Sequence, residues 1–294
     1  MSGAPTNTKT ESLEGRVIII TGASRGIGYH SALALAEQGA KIVVAAKSTV
    51  ENPKLPGTVQ QTVADIEAAG GEALGLPCDV REEAELEDLV QRTLARFERI
   101  DGLINNAGAI WVQPIEATPA KRLDLVHDVN YRAPYLLSRL VLPHMRRGGW
   151  GHIINMSPPI DTGAIGGKIA YMNSKFNMTG LSYGLAAELK KEQANVGVNS
   201  LWPKTLIESL ATINWSMGAP KDWRKASIMA DAVTAIFQQP PAEYTGQALI
   251  DEGVLRETRG ITDFSLYNVV PDGQPVELTW ATFDAIIEQM QRPK

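Results

Sequence analysis

The feature that most constrains this chain is a rhythm. Seven short apolar runs, rich in β-branched residues, alternate with longer stretches of helical character: Arg16–Thr21, Lys41–Ala46, Glu72–Cys78, Gly102–Asn105, His152–Met156, Val196–Trp202 and Gln247–Asp251. The first reads Arg-Val-Ile-Ile-Ile-Thr with no polar alternation, which suits a strand buried on both faces. Between the runs the sequence predicts helices over 27–38, 58–69, 81–97, 119–146, 169–193 and 230–238, the first two stopped by Gly39 and the Gly70-Gly71 pair. Such alternation folds as βαβ units. The expected class is α/β, a doubly wound parallel sheet of about seven strands with helices on both faces.

Composition narrows the function. With 44% hydrophobic and 21% charged residues the 294-residue chain is globular. A net charge of -5 argues against nucleic acid or an anionic membrane as partner. Cys78 is the single cysteine, which excludes an internal disulfide and any zinc site built on thiolates, and no metal-ligand cluster stands out. No run approaches the ~20 apolar residues of a membrane-spanning helix. The polar stretch Met1–Gly15 does not read as a secretory signal, and a cytoplasmic location is expected. Nor is there a repeat or a Ser- or Gly-rich linker. The chain divides into a disordered tail over 1–12, one catalytic domain over 13–252, and an extension over 253–294 packed on the same domain or a neighbouring subunit, with a helix expected over Thr279–Met290.

Thr21-Gly22-Ala23-Ser24-Arg25-Gly26-Ile27-Gly28 joins the first strand to the first helix. Glycines at this turn let the backbone approach a pyrophosphate, and the helix N-terminus presents amides to the anion. The same residues fit G-x-S-x-G, a hydrolase elbow with Ser24 as nucleophile, but no earlier strand supplies an oxyanion loop and no Asp is placed to serve His127, His144 or His152. Where an NAD site offers a carboxylate to the ribose, this chain has Ala46 and Lys47. Lys47 and Arg25 would together face a 2′-phosphate, which favours NADP(H), with NAD(H) as the alternative should Glu51 reach the ribose.

Tyr171 and Lys175 lie four residues apart on the long predicted helix, so both side chains point into one site. A phenol with a pKa of ~10 is a poor base near neutrality, and a nearby ammonium favours the phenolate. The glycine turn, Asn105-Asn106-Ala107-Gly108 and Tyr171-x-x-x-Lys175 occur in one order. On these residues the chain resembles the short-chain dehydrogenase/reductase family, over roughly residues 13–252. The resemblance implies a Rossmann-type fold, an NAD(P) cofactor and a homotetramer, or a homodimer. It places Gly22, Ser24, Arg25, Gly26, Ile27 and Gly28 around the pyrophosphate, Asp79 and Val80 near the adenine, and Asn106, Ala107 and Gly108 along the cleft. It makes Asn130 the holder of a relay water, Tyr171 the acid/base and Lys175 its partner.

Two departures stand out. Pro158 occupies the place of the family's catalytic Ser, 13 residues before Tyr171, leaving Ser157 as candidate if the next loop carries a one-residue insertion. The family's Pro-Gly pair is Pro203-Lys204, which puts the contacts of Pro203 and Thr205 with the nicotinamide in question. Asn52–Thr58, Ser157-Pro158-Pro159 and Trp202-Pro203-Lys204-Thr205 resemble the hydroxysteroid-dehydrogenase-like branch, whose bacterial relatives include citronellol/citronellal dehydrogenase-type proteins. A lid over 206–229, with Leu210, Ile213, Trp215, Met217 and Trp223, and a wall from Trp111, imply a hydrophobic alcohol or carbonyl as substrate. A catalytically weak, cofactor-binding regulator or scaffold is the alternative.

Overall fold

The structure, a computed structural model, describes residues 10–53, 55–214 and 216–279, together with 282 and 285. Of the tail expected over 1–12, residues 1–9 lie outside the described residues, and the amide of Glu11 donates to the Gln238 carbonyl at 2.9 Å. Trp215 and most of the helix expected beyond Thr279 also fall outside them.

Seven strands form one sheet: β1 (Val17–Thr21), β2 (Lys41–Ala46), β3 (Glu72–Pro77), β4 (Gly102–Asn105), β5 (Gly151–Asn155), β6 (Val196–Trp202) and β7 (Ala248–Ile250). Every neighbouring pair is parallel, in the order β3-β2-β1-β4-β5-β6-β7. The expected doubly wound sheet is therefore present. Its order reverses between β1 and β4, where a ligand crevice opens at the carboxyl ends of the strands.

Alternation along each strand sends side chains to two faces. Ile18, Ile20, Ile42, Val44, Ile104 and Ile154 belong to one buried cluster, with Ala32 and Leu35 of α1 (Gly26–Glu37) and Val233 and Phe237 of α8 (Ser227–Phe237), which follows the short α7 (Leu210–Asn214). Val17, Ile19, Val43, Leu103, Ile153 and Val198 belong to the other, with residues of α3 (Glu83–Phe97), α5 (Ala133–Gly148) and α6 (Ile169–Lys191). On the first face α2 (Val59–Ala68) adds Val59 and Ile66. No helix among the described residues is long and apolar enough to cross a membrane.

Two elements differ from expectation. The helix read over 119–146 is α4 (Ala120–His127) and α5 separated by a π turn over Asp128–Arg132. Such a turn frequently marks a functional site, and it carries Asn130. The extension after β7 opens with a helix not expected there: Asp251–Arg259 forms α9, which buries Val254 and Leu255 and ends at Gly260 with φ +68°. Its charge density and internal Gly253 hide this short amphipathic pattern. Beyond it, residues 264–278 run back across the segment after β6. Main-chain bonds tie Lys225 to Tyr267, Val269 to Trp223, Leu206 to Val276 and Leu278 to Lys204.

Asp251 fastens this region. Its side chain is fully buried, and Oδ1 accepts from the amides of Lys204 and Glu252, each at 2.8 Å. Oδ2 is buried without a hydrogen-bond partner. Burial pushes the carboxyl up to about 6, opposed by those two amides and by the charge of Arg224. A raised carboxyl stabilises the fold below its unfolded pKa of ~4, and that contribution is lost as pH rises through 6. Asp251→Asn keeps the acceptor for both amides. Its stability relative to the parent should therefore improve between pH 4 and pH 7 by up to about 3 kcal/mol, as urea titrations at both pH values would show; a gap independent of pH would refute the assignment.

Candidate active site

The glycine turn is shaped from across the β1–β4 crevice. Gly22 and Gly26 hold φ values of +66° and +57°, which only glycine adopts without strain. A Cβ on Gly28 would sit 2.5 Å from Asn106 Nδ2 and 2.6 Å from the Gly22 carbonyl. Asn106 Nδ2 donates to the carbonyls of Thr21 and Gly22 at 3.0 and 3.1 Å, and Thr21 Oγ1 accepts from the amides of Asn106 and Ala107, both at 3.1 Å. Asn106 thus locks the turn. A cleft of about 370 Å³ opens beside it, lined by nine of the expected cofactor residues: Gly22, Ser24, Arg25, Lys47, Asp79, Val80, Asn106, Ala107 and Gly108. Backbone at one end and cations at the other suit a dinucleotide.

Arg25 is also a clamp. Its Nε donates to the Pro56 carbonyl at 3.0 Å, while Nη2 meets Ser48 Oγ at 2.7 Å and the carbonyls of Leu55 and Gly57 at 3.1 and 2.9 Å. It thereby pins the loop after β2 over the glycine turn. A Cβ on Gly57 would meet the Ser24 carbonyl at 2.3 Å. Lys47 Nζ stands 3.5 Å from Asp79 Oδ2, and Asp79 is held well below the usual carboxylate range, at about 2, chiefly by Arg81. Residues 46–48 present no carboxylate to the cleft.

Tyr171 and Lys175 are both buried on α6. Tyr171 lines an apolar pocket of about 200 Å³ with Ile27, Met156, Pro203, Leu206 and Met217. Lys175 Nζ donates to the Met156 carbonyl at 2.8 Å and lies 5.7 Å from the centre of the Trp202 ring, within cation–π range. Burial lowers Lys175 to about 8 and raises the Tyr171 phenol above its ordinary value.

Asn130 braces this helix. Its Oδ1 accepts from the Ala109 amide at 2.8 Å, and its Nδ2 donates to the Ala109 carbonyl and to Ser174 Oγ, each at 2.9 Å. Ser174 in turn donates to the Tyr171 carbonyl at 2.7 Å. Both amide hydrogens of Asn130 are thus engaged, so the side chain has none for a relay water. A Cβ on Gly108 would lie 3.6 Å from Asn130 Oδ1 and 3.7 Å from Lys175 Nζ, a measure of how tightly these groups converge.

Three expected residues stand outside these linings. Ser157 is fully buried and turned towards α6, where its Oγ is bonded to Thr179 Oγ1 at 2.8 Å; Thr179 also donates to the Pro158 carbonyl at 2.7 Å. Ser157 is absent from the pocket lining, because the turn that would swing it back is pinned by Thr179. Thr205 is likewise outside both linings: its backbone pairs with Glu277 in an antiparallel bridge and its Oγ1 is buried without a partner. Ser209 and Thr212 line the pocket instead. Trp111 stands apart from it, its ring under Arg122 at 4.7 Å and its Nε1 donating to Thr118. Of the lid residues, Met217 lines the pocket, and it packs with Leu206 and Trp223 against Val269, Val276 and Leu278. His152, a triad candidate, is buried with Nε2 on the Gln239 carbonyl at 2.9 Å.

Comparison with known proteins identifies the family. The family model described as short chain dehydrogenase matches residues 16–212, and the chain belongs to the short-chain dehydrogenase family, an oxidoreductase class that works with NAD(P). Within it the similarity runs to the hydroxysteroid-dehydrogenase-like branch. Hydroxysteroid dehydrogenase-like protein 2 of Danio rerio is 43% identical over 92% of this chain and 67% of its own length. The Homo sapiens protein of that name is 41% identical over 91% of this chain and 63% of its own length. The chain thus spans about two thirds of these relatives. A solved short chain dehydrogenase from Mycobacterium thermoresistibile superposes with a TM-score of 0.84 at 38% identity, covering 91% of this chain and 95% of that one. A metagenomic short-chain oxidoreductase in complex with NADP gives 0.69 at 30% identity, covering 82% and 98%.

Gly28→Ala tests the clamp. Overpacking against Asn106 and the Gly22 carbonyl should cost about 1–3 kcal/mol and weaken NADPH binding at least tenfold. Urea unfolding and NADPH fluorescence titration read the two effects; unaltered binding would show that the turn does not hold the cofactor.

Proposed function

We propose that the chain interconverts a hydrophobic alcohol and its aldehyde or ketone, with NADP(H) as preferred cofactor and NAD(H) as alternative. The observation that carries this reading is Tyr171 itself, a buried phenol opening into an apolar pocket with Lys175 one turn further along the same helix. Gly22, Ser24, Asn106 and Lys47, on the lining of the first cleft, would hold the nicotinamide cofactor, which would supply the hydride acceptor for alcohol oxidation and the hydride donor for carbonyl reduction. Tyr171 takes the hydroxyl proton in oxidation and gives it to the carbonyl oxygen in reduction. Lys175 offsets the cost of the buried phenolate. Its Nζ donates one hydrogen to the Met156 carbonyl, which leaves two to hold the nicotinamide ribose. Asn130 and Ser174 act one step back, fixing where α6 presents the phenol. The apolar walls exclude water from the reacting carbon.

Lys47 and Arg25 on the lining of the first cleft, with Ser48 between them and no carboxylate at the end of β2, support the preference for a 2′-phosphate. A groove of about 330 Å³ between α5 and α6, flanked by half-exposed Tyr135, supports assembly as a homotetramer or homodimer. The burial of Ser157 on Thr179 favours a second reading, a cofactor-binding regulator or scaffold without turnover.

Tyr171→Phe separates the two. It should lower kcat by about 10²–10⁴ while leaving NADPH affinity nearly unchanged. Equal turnover by the parent and the Phe variant would dismiss Tyr171 as acid/base, and cofactor binding with no turnover on any alcohol or carbonyl would establish the scaffold reading. In a companion titration Lys47→Ala should weaken NADPH by about tenfold and NADH little; equal losses for both would remove the 2′-phosphate assignment.

A further inference from the structure

The pocket at Tyr171 is small. Its volume of about 200 Å³ falls below the roughly 300–1,000 Å³ common for ligand sites. Ile27, expected beside the pyrophosphate, and Pro203, expected at the nicotinamide, also line it, so the cofactor and the reacting carbon compete for this space. The rest of any sizeable substrate must lie elsewhere. A larger cavity of about 510 Å³ adjoins it, and Trp202, Pro203 and Leu278 belong to both linings. Pro158, Pro159 and Glu277 are among the residues that wall this outer cavity. Its chemistry differs from that of the inner pocket. Asp161, Thr162, Lys204, Glu277 and Thr279 face it, whereas the inner pocket offers little besides Tyr171, Ser209 and Thr212 for hydrogen bonding. Lys204 is ion-paired with Glu277, so the surplus charge on this wall is the carboxylate of Asp161. That balance disfavours an anionic group and favours a neutral one that donates a hydrogen bond.

From this we infer that the outer cavity is a distal substrate subsite. It receives the far end of an elongated, uncharged alcohol or carbonyl: an apolar segment crosses the Trp202–Leu278 boundary, and a hydroxyl or similar polar group at the far end meets the Asp161 side. The inference rests on the oxidoreductase reading of Tyr171 and specifies its substrate class. Trp202 serves both halves, since it lines both cavities and its ring centre lies 5.7 Å from Lys175 Nζ.

The test compares 1-butanol, 1-decanol and 1,10-decanediol as substrates with NADP+, in the parent protein and in Ile160→Trp and Thr279→Trp. Both positions line the outer cavity and are solvent-exposed, with Ile160 at 48%, and neither belongs to the catalytic groups. In the parent, kcat/KM should rise at least tenfold from 1-butanol to 1-decanol and again, by a smaller factor, to the diol. Each Trp variant should lower kcat/KM for the diol about tenfold while leaving 1-butanol and NADPH affinity within about twofold. Equal losses for short and long alcohols, or no loss for either, would overturn the subsite. If the parent turns over none of the three, the oxidoreductase reading fails on its own. Calorimetric titration of the diol onto the NADP+-loaded protein then decides the subsite separately: binding abolished by the Trp variants sustains it, and binding that is absent or indifferent to them overturns it.

Discussion

The pairing of Thr21 with Asn106 across the β1–β4 crevice is the contact on which the rest of the site depends. One hydroxyl accepts two amides from the loop after β4, and one carboxamide returns two bonds to the carbonyls of the glycine turn. The crevice exists because the sheet order reverses there; without the clamp it would be a gap between two mobile loops. With it, the cofactor cleft has a fixed wall built from backbone and closed by glycines whose missing Cβ atoms leave room for it.

A second brace works through Asn130. The π turn that interrupts α4 and α5 puts this side chain in reach of Ala109 on one side and Ser174 on the other, so the loop after β4 and the start of α6 are held at one spacing. Burial then sets an opposition on α6. It raises the phenol of Tyr171 and lowers the ammonium of Lys175, each pushed towards its neutral form. Both groups are therefore costly to charge, and the positive face of an oxidised nicotinamide is the kind of partner that would lower that cost for the phenolate.

Much of this was legible in the residues alone. The apolar runs mark all seven strands to within a residue or two, because strands buried on both faces tolerate no polar alternation. The glycine turn and the Tyr171–Lys175 spacing are local patterns, and they fold locally. What could not be read depends on partners distant in sequence. Ser157 faces Thr179 rather than the pocket because a turn is pinned from α6, 22 residues away. The helix at Asp251 is stabilised by burial of two side chains in a highly charged segment, and propensity gives it little signal. Trp202 reads as an ordinary strand-end aromatic until the fold sets it beside Lys175, though its place directly before Pro203-Lys204 was a usable hint.

The main-chain bonds joining residues 204–225 to residues 267–278 make the cover of the Tyr171 pocket a two-ply structure. Neither ply can lift alone without stripping backbone amides and carbonyls of their partners. Displacing the segment after β6 therefore draws on residues 267–278 as well. Leu206, Met217 and Leu278 line the pocket from within these two plies, so its wall and the clasp that holds it are one piece of backbone pairing.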